Sequence, residues 1–135
     1  MIYAVIDTNV LVAALKTKNE DAATVRVLNA IFRGVVTPLY NGAILEEYRD
    51  VLYRDYLKLD RAKCDFAISF IVDFGRNVEA IASGVDMIDE DDRVFYEVAL
   101  GSQDVDSKLV TGNIKHFPAA DFVMTPAEFC EAIGI

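Results

Sequence analysis

The run Ile2-Tyr3-Ala4-Val5-Ile6 constrains this chain more than any other segment. It is apolar throughout, without the alternation of a half-exposed strand, so it reads as a strand buried on both faces in a parallel sheet. It breaks at Asp7-Thr8, and helical spacing follows from Val10 to Leu15. Polar residues 17 to 21 form a loop, and Ala22 to Phe32 has helical spacing that stops at Gly34. Val35 to Leu39 reads as a short strand whose Pro38 is easiest near an edge or a strand end. Asn41 is suited to cap a helix from Gly42 to about Tyr53. Asp60 caps a longer one to Phe74, closed by Gly75. Val78 to Ile81 is a strand candidate, and Asp91 or Asp92 caps a helix to Leu100. Lys108 to Thr111 and Phe122 to Met124 are short strands, and Thr125-Pro126 opens a last helix. Strands alternating with helices predict an α/β domain with a central parallel sheet. In such sheets ligands bind beyond the carboxyl ends of the strands, which says where to look for chemistry.

A chain of 135 residues fits a single domain, residues 1–135, and can bury a core without disulfides or a structural metal. Its 53% hydrophobic and 26% charged residues are a globular composition. Apolar runs such as Phe66 to Val72 are too short to span a bilayer, and no basic segment precedes the first strand, so neither membrane insertion nor a secretory leader is expected. Cys64 and Cys130 offer no disulfide framework or metal-ligand spacing and suit buried positions in a reducing, cytoplasmic setting. The net charge of −9 argues against a module that only grips nucleic acid, but not against an enzyme that holds divalent cations and meets RNA locally. It also suits a basic protein partner.

The candidate chemistry is carried by carboxylates. Asp7 ends the first strand and is either a helix N-cap or a metal ligand at the carboxyl edge of the sheet. At about 100° per residue, Glu47 falls at the border of the apolar stripe of Ile44, Tyr48 and Val51, whereas Glu46 falls on the solvent side. Asp89-Glu90-Asp91-Asp92 reads as a solvated run with favourable charge at a helix start. Asp92 shares a face with Phe95, Tyr96 and Ala99, and Asp91 stays open as an alternative. Thr111 and Asn113 either form a turn or contribute a hydroxyl and an amide oxygen to the same edge. Asp106 and the lone His116 read more simply as surface residues, with a phosphate contact the alternative for His116. Clustered carboxylates raise one another's pKa, a penalty that a hard cation such as Mg²⁺ or Mn²⁺ removes.

Four blocks in this order resemble the PIN-domain family, nearest to the branch of toxin components of toxin–antitoxin systems. They are Ala4 to Val12; Ile44-Leu45-Glu46-Glu47-Tyr48; Asp89 to Glu97; and Leu109-Val110-Thr111-Gly112-Asn113 with Lys115 to Pro118. The resemblance covers essentially the whole chain. It implies a three-layer α/β/α sandwich and an acidic pocket for Mg²⁺ or Mn²⁺. It also implies endonucleolytic cleavage of single-stranded or structured RNA, an antitoxin partner, and dimerisation as an option. Asp7, Glu47 and Asp92 match the family's first three acids, and Thr8 and Thr111 match polar residues lining the pocket. Asn113 stands where many members carry a fourth acid, with Asp106 as a substitute for it. Asp7 and Asp92 would then hold a cation, Glu47 a second cation or a water, and Asn113 a water or the phosphate. Lys16, Lys18, Arg49, Arg54, Lys115 and His116 are candidate RNA contacts, whose effect would weaken steeply with salt.

Two rival readings are weighed against this one. A haloacid-dehalogenase-like phosphatase would need a second Asp two residues after Asp7, where Asn9 stands. An inactive PIN-like module acting through a protein partner is the stronger rival, kept open by Asn113. A receiver-like signalling domain fits poorly, because its phosphorylated Asp should follow a later strand.

Overall fold

The computed structural model describes residues 1–135. Five parallel strands make one sheet in the order β3-β2-β1-β4-β5. They are β1 (Ile2–Ile6), β2 (Val36–Tyr40), β3 (Arg76–Asn77), β4 (Lys108–Val110) and β5 (Val123–Met124). Six helices flank the sheet: α1 (Thr8–Lys16), α2 (Ala23–Phe32), α3 (Gly42–Leu52), α4 (Arg61–Phe74), α5 (Arg93–Leu100) and α6 (Pro126–Ile133). The architecture is the expected three-layer α/β/α sandwich. No helix is long and apolar enough to cross a membrane.

The central strand is β1, and Ala4, Val5 and Ile6 are almost fully buried, as a strand covered on both faces requires. The chain builds β2 and β3 outward on one side of β1, then crosses to place β4 and β5 on the other. That reversal puts a crevice beyond the carboxyl ends of β1 and β4, the position where open α/β sheets bind ligands. Asp7 continues the ladder by one bond, its N–H donating to the Val110 carbonyl at 2.9 Å.

Caps fix several boundaries as the sequence suggests. The Asn41 side chain accepts from the Ile44 N–H, and that of Asp60 from the Lys63 N–H. Thr125 and Glu128 form a reciprocal capping box ahead of α6, with Pro126 in its first turn. Pro38 sits inside β2, and pairing with β3 begins only at Leu39, so that side of the strand is still open at the proline. Gly75 ends α4 in an extended rather than a left-handed conformation. A Cβ there would lie 2.3 Å from the Ile71 carbonyl oxygen and 2.6 Å from that of Pro38, so close backbone approach is what demands glycine.

One expectation is corrected. The third strand is Arg76–Asn77, not Val78 to Ile81. Val78 donates one more bond to Tyr40, after which the chain is drawn off the sheet toward α5, where Ile81 N–H meets the Glu97 carbonyl at 3.1 Å. Asp92 occupies the N-cap position of α5, as one of the two alternatives has it, but its side chain makes no cap bond. A 3₁₀ turn, Glu90–Asp92, precedes the helix, and the Asp89 side chain caps that turn by accepting from the Asp91 N–H at 3.0 Å. The Asp92 carboxylate is left to face elsewhere.

Candidate functional site

At the crevice between β1 and β4 lies an open cleft of about 350 Å³. Asp7, Thr8 and Asn9 enter it from the end of β1 and the start of α1, and Glu47 from α3. Asp89 and Asp92 come from the turn before α5, and Asn113 and His116 from beyond β4. The segments that sequence reasoning assigned to one edge do converge there.

Asp7 occupies the N-cap position of α1, yet its side chain makes no cap bond. It is only 3% exposed. Its Oδ2 accepts from Thr111 Oγ1 at 2.8 Å and from Asn9 Nδ2 at 3.1 Å. Asn9 also accepts the Gly112 N–H at 3.1 Å, so one amide joins the ends of β1 and β4. Burial raises the Asp7 pKa to about 6; the Thr111 bond opposes the rise and the Asp92 charge adds to it. Glu47 is half-buried, and its pKa is also raised, by burial first and then by the charges of Asp91 and Asp50. Asp92 is raised by burial and by Asp89, with His116 opposing. His116 Nδ1 lies 3.5 Å from Asp92 Oδ2, so this histidine belongs to the cleft rather than to the solvated surface first expected.

Next to Asp7, Thr8 is 5% exposed, and its Oγ1 is the one buried side-chain polar atom without a hydrogen-bond partner. An unmet hydroxyl at the wall of a cleft carries a desolvation cost that a bound oxygen ligand or cation would relieve. Asn113 is exposed; its backbone N–H donates to Thr111 Oγ1 at 3.0 Å, and its side chain is uncommitted. Asp106 does not join the site. It lies before β4, at the opposite end of that strand from Thr111, is left-handed with φ 53°, and pairs with Lys108 at 3.1 Å. It therefore does not replace the missing fourth acid.

The acids share a cleft, but no three acidic, histidine or cysteine side chains are drawn together into a ready-made cage. Like charges hold apart when nothing neutralises them. The donor types nonetheless suit a hard divalent cation: the cleft is lined by the carboxylates of Asp7, Glu47 and Asp92 and by Thr8, whose buried hydroxyl has no partner.

Sequence reasoning missed three contributors. Tyr48 reads as part of an apolar stripe, but its hydroxyl donates to the Ile6 carbonyl at 2.5 Å and ties α3, with Glu47, to the end of β1. Asn9 was legible only as a polar residue two positions past Asp7. Tyr56, in a 3₁₀ turn (Asp55–Leu57), lines the cleft but carries no motif.

The fold and the cleft together define a three-layer α/β protein with an acidic crevice at its topological switch point. The PIN-domain profile matches residues 3–115, and the chain belongs to that family. The family is one of nuclease-type activity whose members generally use divalent metal ions. No curated protein and no solved structure gives a match.

Proposed function

We propose that the chain, residues 1–135 acting as one unit, is a cytoplasmic endoribonuclease that hydrolyses RNA phosphodiester bonds with Mg²⁺ or Mn²⁺. The observation that carries this reading is that Asp7, Glu47 and Asp92 line a single cleft with an unpartnered buried hydroxyl, Thr8 Oγ1.

Asp7 and Asp92 would hold the cation, with Glu47 either contributing to a second position or orienting the attacking water. A bound divalent cation supplies charge neutralisation and Lewis acidity toward a phosphate and a water. The protein's own work is orientation. Thr111 and Asn9 fix the Asp7 carboxylate through Oδ2, and Tyr48 fixes α3 against the same strand end. The Thr8 hydroxyl and the Asn113 amide are free to bind a phosphate oxygen or the water.

By resemblance, the biological role would be that of a toxin held by an antitoxin, for which the net charge of −9 suits a basic partner segment. A second reading, an inactive module acting through a protein partner, is favoured by Asn113 in place of the fourth acid and by the acids not being drawn together. Purified protein incubated with RNA, with and without Mg²⁺ or Mn²⁺, tests the nuclease reading. Cleavage by Asp7→Asn at the parental rate would end it. Absence of any cation-dependent rise in Tm would favour the binding module.

A further inference from the structure

The cleft is lined by apolar as well as acidic residues: Val12 and Ala13 of α1, Val51 of α3, and Tyr56 with Leu57 of the 3₁₀ turn. Acids that hold a cation leave this apolar part of the lining without a role.

Tyr56 is the informative residue. Its side chain is 71% exposed. The other strongly exposed aromatics, Phe66 and Phe74, pack on neighbouring rings. Arg61 covers Tyr53, and Arg76 covers Tyr3. The Arg54 guanidinium meets the Tyr56 hydroxyl, but no ring or guanidinium stacks on the face of its ring. The turn beneath it is held by backbone bonds from Leu57 N–H to Arg54 and from Lys58 N–H to Asp55, and it closes on Lys58 in a left-handed conformation at φ 54°. Tyr56 therefore presents an unstacked aromatic face from a defined turn, in a cleft whose acids suit a cation and a phosphate.

A nucleotide is the ligand that carries a flat apolar plate beside an anion. A base inside a duplex is already stacked on both faces, so only an unpaired base offers a face to an aromatic side chain. The net charge of −9 strengthens the case, because a chain that repels a polyanion at long range needs a short-range, charge-independent contact to hold it. We infer that Tyr56, with Val12 and Val51 of the same lining, stacks an unpaired base of the nucleotide whose phosphate is held at Asp7 and Asp92 through the cation. This rests on the reading of the cleft as a ribonuclease site.

The chain contains no tryptophan, so Tyr56→Trp introduces a single fluorophore at the proposed contact. In an Asp7→Asn background, which removes turnover and one repelling charge, short single-stranded RNA should quench that fluorescence saturably. The same strand with abasic nucleotides, and fully duplexed RNA, should leave it unchanged. In the otherwise parental protein, Tyr56→Ala should raise KM for single-stranded RNA about tenfold or more with kcat little altered, and Tyr56→Phe should restore the parental KM. A fluorescence signal that single-stranded RNA does not move, an equal response to the abasic strand or to duplex, or an unchanged KM in Tyr56→Ala would each overturn the inference. Saturable quenching in a protein whose parent cleaves no RNA would instead uphold base stacking and sink the nuclease reading, so the two failures are distinguishable.

Discussion

Asp92 and Glu97 stand five positions apart at the two ends of one short stretch, and both side chains are mostly covered, at 16% and 14% exposure. Glu97 accepts from the Ser83 N–H at 2.6 Å and the Ser83 hydroxyl at 2.9 Å, and Arg93 lies 3.7 Å away. These partners, the Ser83 N–H first, hold its carboxyl below the usual range. Asp92 has only a half-exposed histidine at 3.5 Å and like charges on Asp89 and Asp91, and its pKa is raised. The single arginine between them serves Glu90 and Glu97. The Glu97 side holds the loop 83–89 onto α5. The Asp92 side leaves a carboxylate whose charge the protein does not itself neutralise. Lack of a partner in a cleft, more than burial, separates an acid kept for a ligand from one kept for the fold.

The largest expected effect lies on the unpartnered side. Asp7→Asn should lower RNA cleavage by about 10³-fold or more at saturating Mg²⁺, since it removes the most buried charge of the proposed cation ligands; an initial-rate assay decides it. Next is stability without divalent cations. The native state holds the Asp7 proton up to a pKa of about 6, against 3.8 when free. Between those values the folded protein binds more protons than the unfolded chain, so stability falls as pH rises through that window and the penalty is complete above it. Asp7→Asn should therefore be more stable than the parent at pH 7 by up to about 3 kcal/mol, should flatten the decline from pH 4 to 6, and should lose most of the Mg²⁺-induced rise in Tm. Denaturant melts at several pH values check this; a less stable Asp7→Asn would break the comparison.

On the partnered side, Arg93→Ala should lower Tm by leaving the Val85 carbonyl without its donor and Glu90 and Glu97 without their counter-charge, while the Mg²⁺-induced stabilisation persists. The smallest effect belongs to Asp106→Asn, whose exposed pair with Lys108 should change stability by less than about 0.5 kcal/mol and leave cleavage unaltered.

The fold was legible wherever a local rule acts alone. The apolar run of β1, the Asn41 and Asp60 caps and the Thr125-Pro126 start each depend on a few adjacent residues. The acid cleft was legible as a set of segments converging on one sheet edge. What stayed hidden needs distant partners. The third strand ends early because a carbonyl on α5 competes for Ile81 N–H. Asp89 caps the 3₁₀ turn and Asp92 leaves its own cap bond to α5 unmade, a division between neighbours that composition cannot rank. Tyr48 and Tyr56 look alike in the sequence, yet one bonds the β1 strand end and the other presents an unstacked ring.

The bond from Thr111 to Asp7 spans 104 positions, and that from Gly112 to Asn9 spans 103. Asp7 precedes β4 by about a hundred positions, and its carboxylate is oriented only after β4 has come in beside β1. Such distant pairings form late, because a long stretch of chain must be ordered before they are rewarded. A nascent or half-folded copy thus carries every acid and no assembled centre. Whatever chemistry the cleft performs is therefore confined to the finished fold.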